Sequence, residues 1–229
     1  MEDLFRRLES GHEYVDLGLS VKWAAFNIGQ NGMYEFGEHF AWGDNKDEYE
    51  NMYEWKDYKF LHPKSHPLFS KYNTDPEFGP VDNLTRLELQ DDVAAEKWGG
   101  PWRMPTAAEF KELIENCSCE WVFYQKDRFE ATDGFLFISK VPGYEDNFIF
   151  LPSCGLLYDH TMDEKQEHFT EECFYGDCFY WTSDLIGDKP STPEHACMFF
   201  ADKSPLGKCR PRLEQEKRFV TTLIRPVFK

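Results

Sequence analysis

Glycine and proline punctuate this chain along its whole length, 15 of one and 13 of the other, and each interrupts a helix or a strand ladder. Such a chain folds into short elements joined by many turns, and a helical bundle is a poor fit. Short elements need a heavy core to hold them. The 7 Trp, 11 Tyr and 21 Phe supply one, and at 17% aromatic the chain is far from the composition of a disordered acidic segment. Its 229 residues suffice for one domain with a substantial core.

Charge narrows the partners. Lys and Arg number 25 against 42 Asp and Glu, a net −17 that repels phosphate backbones and anionic headgroups, so no nucleic acid partner is expected. No apolar run approaches the roughly 20 residues of a bilayer crossing, so no membrane insertion is expected either. The opening MEDLFRRLES lacks the basic start and apolar middle of a secretory signal. Seven cysteines, an odd number without a CxxC pair, read as reduced thiols rather than a zinc ribbon. The expectation is cytoplasmic as the chain stands, or cell surface or secreted if a leader was removed.

Local signals give an α+β order within a single domain, 1–229. Leu4, Phe5 and Leu8 on one face, stopped by Gly11, predict an N-terminal helix within residues 1–11. A hairpin follows over 13–28, turning at Gly18-Leu19-Ser20, and then an irregular excursion over 43–83, pinned by aromatics. Asp91 and Asp92 open a helix that Gly99-Gly100-Pro101 closes; Thr106 and Glu109 form the capping box of a second, with Asn116 as its stop. Strands are predicted at 135–141, 148–151, 180–183, 197–201 and 221–227, and 184–220 is read as a C-terminal loop region interrupted only by the 197–201 strand.

The segments EYVDLGLSVKWA (13–24), FAWGD (40–44), WGGPWRMPTAAEF (98–110), FIFLPSCG (148–155), YWTS (180–183) and IRPV (224–227) resemble, in that order, the Fibrobacter succinogenes major paralogous domain, a family abundant in Bacteroidetes. RMPTAAEF is also similar to a segment of the formylglycine-generating enzymes. The resemblance implies a C-type lectin-like fold of two or three short helices with small antiparallel sheets and long loops, and a largely uncharacterised function. Physically these motifs read as scaffold. Gly99 and Gly100 permit a tight turn between Trp98 and Trp102, Pro105 fixes the backbone before the Thr106 cap, Arg103 needs a carboxylate as a fold clamp, Trp181 is a core residue, and Arg225 precedes a proline that favours a sheet edge.

No HExxH, nucleophile elbow or phosphate loop is present, so a non-enzymatic module is expected, binding a carbohydrate, peptide or protein ligand. The resemblance to formylglycine-generating enzymes offers an alternative, a metal-thiolate oxidase using Cys173 and Cys178; a structural or assembly subunit is a third reading. No metal or cofactor is expected. Calcium is the one candidate, through the acidic run 159–173, which lacks the D-x-D-x-D-G spacing.

Lectin-like folds bind through loops of the C-terminal half, here 156–179 and 184–220. The first offers Tyr158, Asp159, Phe174, Tyr175 and Asp177. The second offers a stiffened basic loop, KSPLGKCRPR, with Lys203, Lys208, Arg210 and Arg212, which binds an anionic partner or docks on the protein's own acidic surface. Residues 184–229 carry nine cations against six carboxylates, a net +3, leaving −20 on 1–183.

Overall fold

The end of the helix expected within residues 1–11 gives way to a strand, residues 1–6 lying outside the described residues. Ser10 and Gly11 both have positive φ, 48° and 85°, the geometry of a two-residue hairpin loop. That loop joins β1 (Arg7–Glu9) to β2 (His12–Val15), so Gly11 turns a hairpin instead of ending a helix. The computed structural model describes residues 7–46, 58–62, 68–128, 130–154, 156–158, 170–172, 176–187 and 192–229.

Three antiparallel sheets and a small ribbon organise these residues. The first orders as β1, β2, β3 (Lys22–Ala24) and β12 (Val227–Phe228); Pro226 accepts from Ala24 N–H but has none to return, and the Ala24 carbonyl is taken by Arg225, while Val227 exchanges both main-chain bonds with Arg103 on the outer side. The second is β4 (Cys117–Gln125), β5 (Ala131–Ser139) and β6 (Phe148–Pro152), in that order. β7 (Leu156–Tyr158) and β8 (Thr170–Glu172) form the ribbon. The third sheet orders as β11 (Cys209–Lys217), β10 (His195–Lys203) and β9 (Asp177–Trp181). Among the described residues, helix is confined to α1 (Val93–Trp98), α2 (Ala107–Asn116) and two short 3-10 turns.

The chain is therefore mostly β, 38% strand against 12% helix, and the α+β class with C-type lectin-like architecture is overturned. Much of the difference lies in the expected 184–220 loop region, which holds a hairpin of two nine-residue strands. The charged sequence of β11 disguises it, because a half-exposed edge strand has little apolar alternation to show. Pro211 sits opposite Ala201 on that edge strand, a setting that tolerates the missing N–H.

The third sheet divides two cores. One face sends Trp181 and Met198 against Phe40, Trp42, Tyr58, Phe60, Phe69 and Tyr72, so the 43–83 excursion supplies half of the buried aromatics of this core. The other face sends Tyr180 and Phe199 against α2 and the second sheet, where Phe199 stacks on Phe110 at 4.6 Å and meets Phe137 at 5.8 Å. Two arginines are fully buried between these layers. Arg218 donates to the carbonyls of Tyr72 and Lys71 and lies 3.7 Å over the Phe69 ring. Arg225 donates to Asn27 Oδ1 at 2.7 Å, to the carbonyls of Ala24 and Phe150 at 3.1 and 2.8 Å, and to that of Ala25.

The motif residues hold corners. Trp98 stacks on His12 at 3.7 Å, and Trp102 donates to the carbonyl of Glu9. Gly99 and Gly100 take φ of 65° and 58° as α1 ends, conformations that side chains resist. The Pro105 carbonyl accepts from Ser183 N–H. Arg103 clamps Glu109 with two hydrogen bonds, and Thr106 and Glu109 close the capping box of α2. Burial alone would raise the Glu109 carboxyl, but the Arg103 bonds outweigh it and hold it below the usual range. Thr106→Ala removes the cap and should cost about 1 kcal/mol, whereas Thr106→Ser keeps it at a few tenths; urea denaturation of the two variants checks the difference.

Candidate functional site

The third sheet brings several of the expected binding residues into two cross-strand rows. Asp177, Asp202 and Arg210 form one, and Phe179, Phe200 and Arg212 the next. Both arginines donate to Asp202, Arg210 in a bidentate pair and Arg212 at 2.9 Å, and Arg212 also pairs with Glu214 at 2.8 Å. Arg212 lies 4.2 Å over the Phe200 ring, itself stacked on Phe179 at 4.5 Å. Burial, with the charge of Asp202 behind it, raises the Asp177 carboxyl.

The remaining cations stand apart from this group. Lys203 sits 3.4 Å over the Trp121 ring, and Lys208 lies in the exposed turn that closes the hairpin, its N–H on Ser204 Oγ. The segment read as a basic loop is thus a strand end whose arginines are matched by the protein's own carboxylates. Tyr158 lies in β7, opposite Thr170. Asp159, Phe174, Tyr175 and Cys173 lie outside the described residues, as does most of the acidic run considered for calcium. Cys178 is fully buried in β9, and burial pushes its thiol well above the usual value, the reverse of what a thiolate ligand needs.

Two depressions compete as sites. The larger, 740 Å³, runs over the RMPTAAEF motif and includes Arg86, Asp92, Arg103 and Glu109. Most of its charges are committed to the fold. Arg103 holds Glu109, Arg86 holds Asp184 at 2.5 Å, and Asp92 caps α1 while accepting from Met104 N–H. Little charge is left over for a ligand.

The second cleft, 440 Å³, is apolar and built on rigid elements. β6 forms one wall through Phe148, Ile149 and Phe150, with Tyr124 of β4 beside it; Val15, Ala25, Phe26 and Met33 form the other, and Asp146 and Asn147 sit at the mouth. The Phe150 ring is fixed. It crosses the backbone of Gly134 so closely that a Cβ there would meet the ring at 2.8 Å and the Leu151 carbonyl at 2.3 Å, and Tyr124 stands edge-on to it at 5.5 Å. Phe148 remains 52% exposed, a large ring left in water on the cleft's edge.

The opposite wall is fixed by Arg225 and Asn27. Arg225 ties the Ala24 and Ala25 carbonyls to that of Phe150, and Asn27 reaches the Phe36 carbonyl at 2.7 Å and the Tyr180 hydroxyl at 3.2 Å. Both walls therefore hang on the buried Arg225 guanidinium and on the Tyr180 hydroxyl, which also donates to the Pro152 carbonyl of β6. Sequence reading placed β6 but missed the cleft. The signal present was FIF itself, apolar on both faces of a strand that, among the described residues, pairs on one edge only.

Compared with known proteins, the chain matches no family model, no curated protein and no solved structure.

The Asp202 cluster makes a pH prediction. Burial would raise the Asp202 carboxyl, but its bonds to Arg210 and Arg212 outweigh that and lower it. A folded value below the unfolded one, about 3.9, gives a contribution that is present above about pH 4 and fades as pH falls through the folded value. Asp202→Asn should cost at most about 1 kcal/mol at pH 7, since both arginines are largely exposed, and almost nothing near pH 2. Urea denaturation of both proteins at the two pH values measures this.

Proposed function

We propose that this protein is a non-enzymatic binding module and that its ligand seats an apolar or aromatic group in the cleft between β6 and residues 25–33. One observation carries the reading: an open 440 Å³ cleft with aromatic walls held by the Arg225 and Asn27 network. Its volume falls within the roughly 300 to 1,000 Å³ of small-ligand sites, and its composition, mainly rings and aliphatic groups with a few polar atoms at the mouth, is theirs too. Preformed walls favour affinity because little ordering is left to do on binding. Membership of the Fibrobacter succinogenes major paralogous domain family belongs to the same proposal, supported by six motifs in order.

The metal-thiolate oxidase has less behind it, because Cys178 points its sulfur into the core between β9 and the second sheet. A binding surface needs only shape and exposed rings, which the cleft has.

Phenethylammonium, followed through backbone amide shifts in NMR, is a direct probe. It should shift Asn147, Phe148 and Phe150 with a Kd of millimolar or tighter. Ala25→Leu, which fills the cleft from its wall, should weaken binding at least tenfold while leaving the spectrum folded. Shifts elsewhere, or equal binding to the variant, would refute the site.

A further inference from the structure

β6 is the last strand of its sheet, and its outer edge is only half protected. Ser139 N–H bonds the Asn147 carbonyl and Ser153 N–H bonds that of Asp133, so residues 147, 149, 151 and 153 face β5 and residues 148, 150 and 152 face away from it. At the C-terminal end of that outer edge, Pro152 has no N–H to offer and Arg225 occupies the Phe150 carbonyl. At the N-terminal end, the Phe148 N–H and carbonyl and the Phe150 N–H have no bond among the described residues. They lie on the side where Ala25 and the cleft are, beside the exposed Phe148 ring.

We infer that the ligand of this cleft is an extended peptide segment that pairs its main chain with the Phe148 end of β6 and lays a Lys or Arg side chain across the aromatic wall toward Asp146. The inference rests on the cleft being the binding site and adds what fills it. Three main-chain groups in strand geometry match an extended backbone, the recognition mode in which an edge strand acquires a neighbour. Charge complementarity sets the side chain. Asp146 is exposed and is, among the described residues, the one charged side chain lining the cleft; it stands with the rings of Phe26, Tyr124, Phe148 and Phe150, and the whole chain carries −17. A cation gains from the carboxylate and from the ring faces together, while an acidic segment is repelled.

The test uses the full chain and the blocked pentapeptide acetyl-Thr-Val-Lys-Val-Thr-amide, with one analogue N-methylated on the central residue and one with norleucine in place of lysine. Fluorescence anisotropy gives affinities and amide shifts give the location. The parent peptide should shift Phe148 and Phe150 amides. N-methylation should weaken it at least tenfold, and norleucine about threefold to tenfold at low salt. Asp146→Asn should abolish the preference for lysine over norleucine. Phe148→Pro, which deletes the edge N–H, should bind more weakly than Phe148→Ala, which deletes only the ring; the N-methylated peptide keeps the test intact if the proline variant does not fold.

Equal binding of the parent and N-methylated peptides, or no preference for lysine, would overturn the inference. If phenethylammonium still shifted the cleft amides, the cleft would stand as a small-molecule site without a peptide. If neither probe shifted them, both readings would fall.

Discussion

A guanidinium sealed from water must be met on every side by oxygens, and among the described residues Arg225 is met by main chain and an amide, with no carboxylate bonded to it. Burial lowers its proton affinity, but an arginine keeps its charge under any ordinary condition, so the acceptors must stay where they are. They come from residues 24–27, at the end of β3 and just after it, and from β6, two stretches of chain far apart in sequence and both distant from Arg225 itself. Fixing them fixes the relation between the first two sheets. Arg218 plays a similar part in the other core, where it draws residues 71 and 72 of the excursion onto the third sheet.

The cleft follows from this arrangement. β6 is held along one edge by β5 and on the other at the Phe150 carbonyl by Arg225 and at the Pro152 carbonyl by the Tyr180 hydroxyl, so the sheet cannot close over Phe148. Residues 25–33 cannot collapse onto it either, because Asn27 anchors them to the Arg225 guanidinium and the Tyr180 hydroxyl. An open apolar space between two fixed walls is the result, with rings on the side that water and ligands reach. The basic hairpin, by contrast, satisfies itself through Asp202 and Glu214.

Local chemistry was legible in the sequence where local chemistry decides. The capping box of α2, the glycine stop of α1, most of β6, the centre of β10, the second half of β5 and the last two residues of β9 depend on neighbours within a few residues. The N-terminal hairpin was not legible, because apolar groups at 4, 5 and 8 suit a helix and only the paired left-handed geometry of residues 10 and 11 decides otherwise. β11 was hidden by its charges and its proline, and recovering it would have lowered the expected loop content and argued against the lectin-like architecture. Of the candidate site, only the FIF strand showed. Its partners across the cleft lie more than a hundred residues away, and that Phe148 sits on a free edge is a fact of strand order, which spacing does not encode.

The claim that Arg225 holds the cleft open by tying β6 to the segment after β3 is tested most directly by native-state hydrogen exchange on Arg225→Lys. Lysine keeps the charge but presents one nitrogen in place of the fork, so it cannot serve the Asn27, Ala25 and Phe150 oxygens together. The amides of Ile28 and Glu38, which bond Ile224 and Ile28 carbonyls in this region, should lose protection by at least tenfold while those of α2 hold theirs. Unchanged protection at Ile28 and Glu38, or an equal loss throughout α2, would contradict the account.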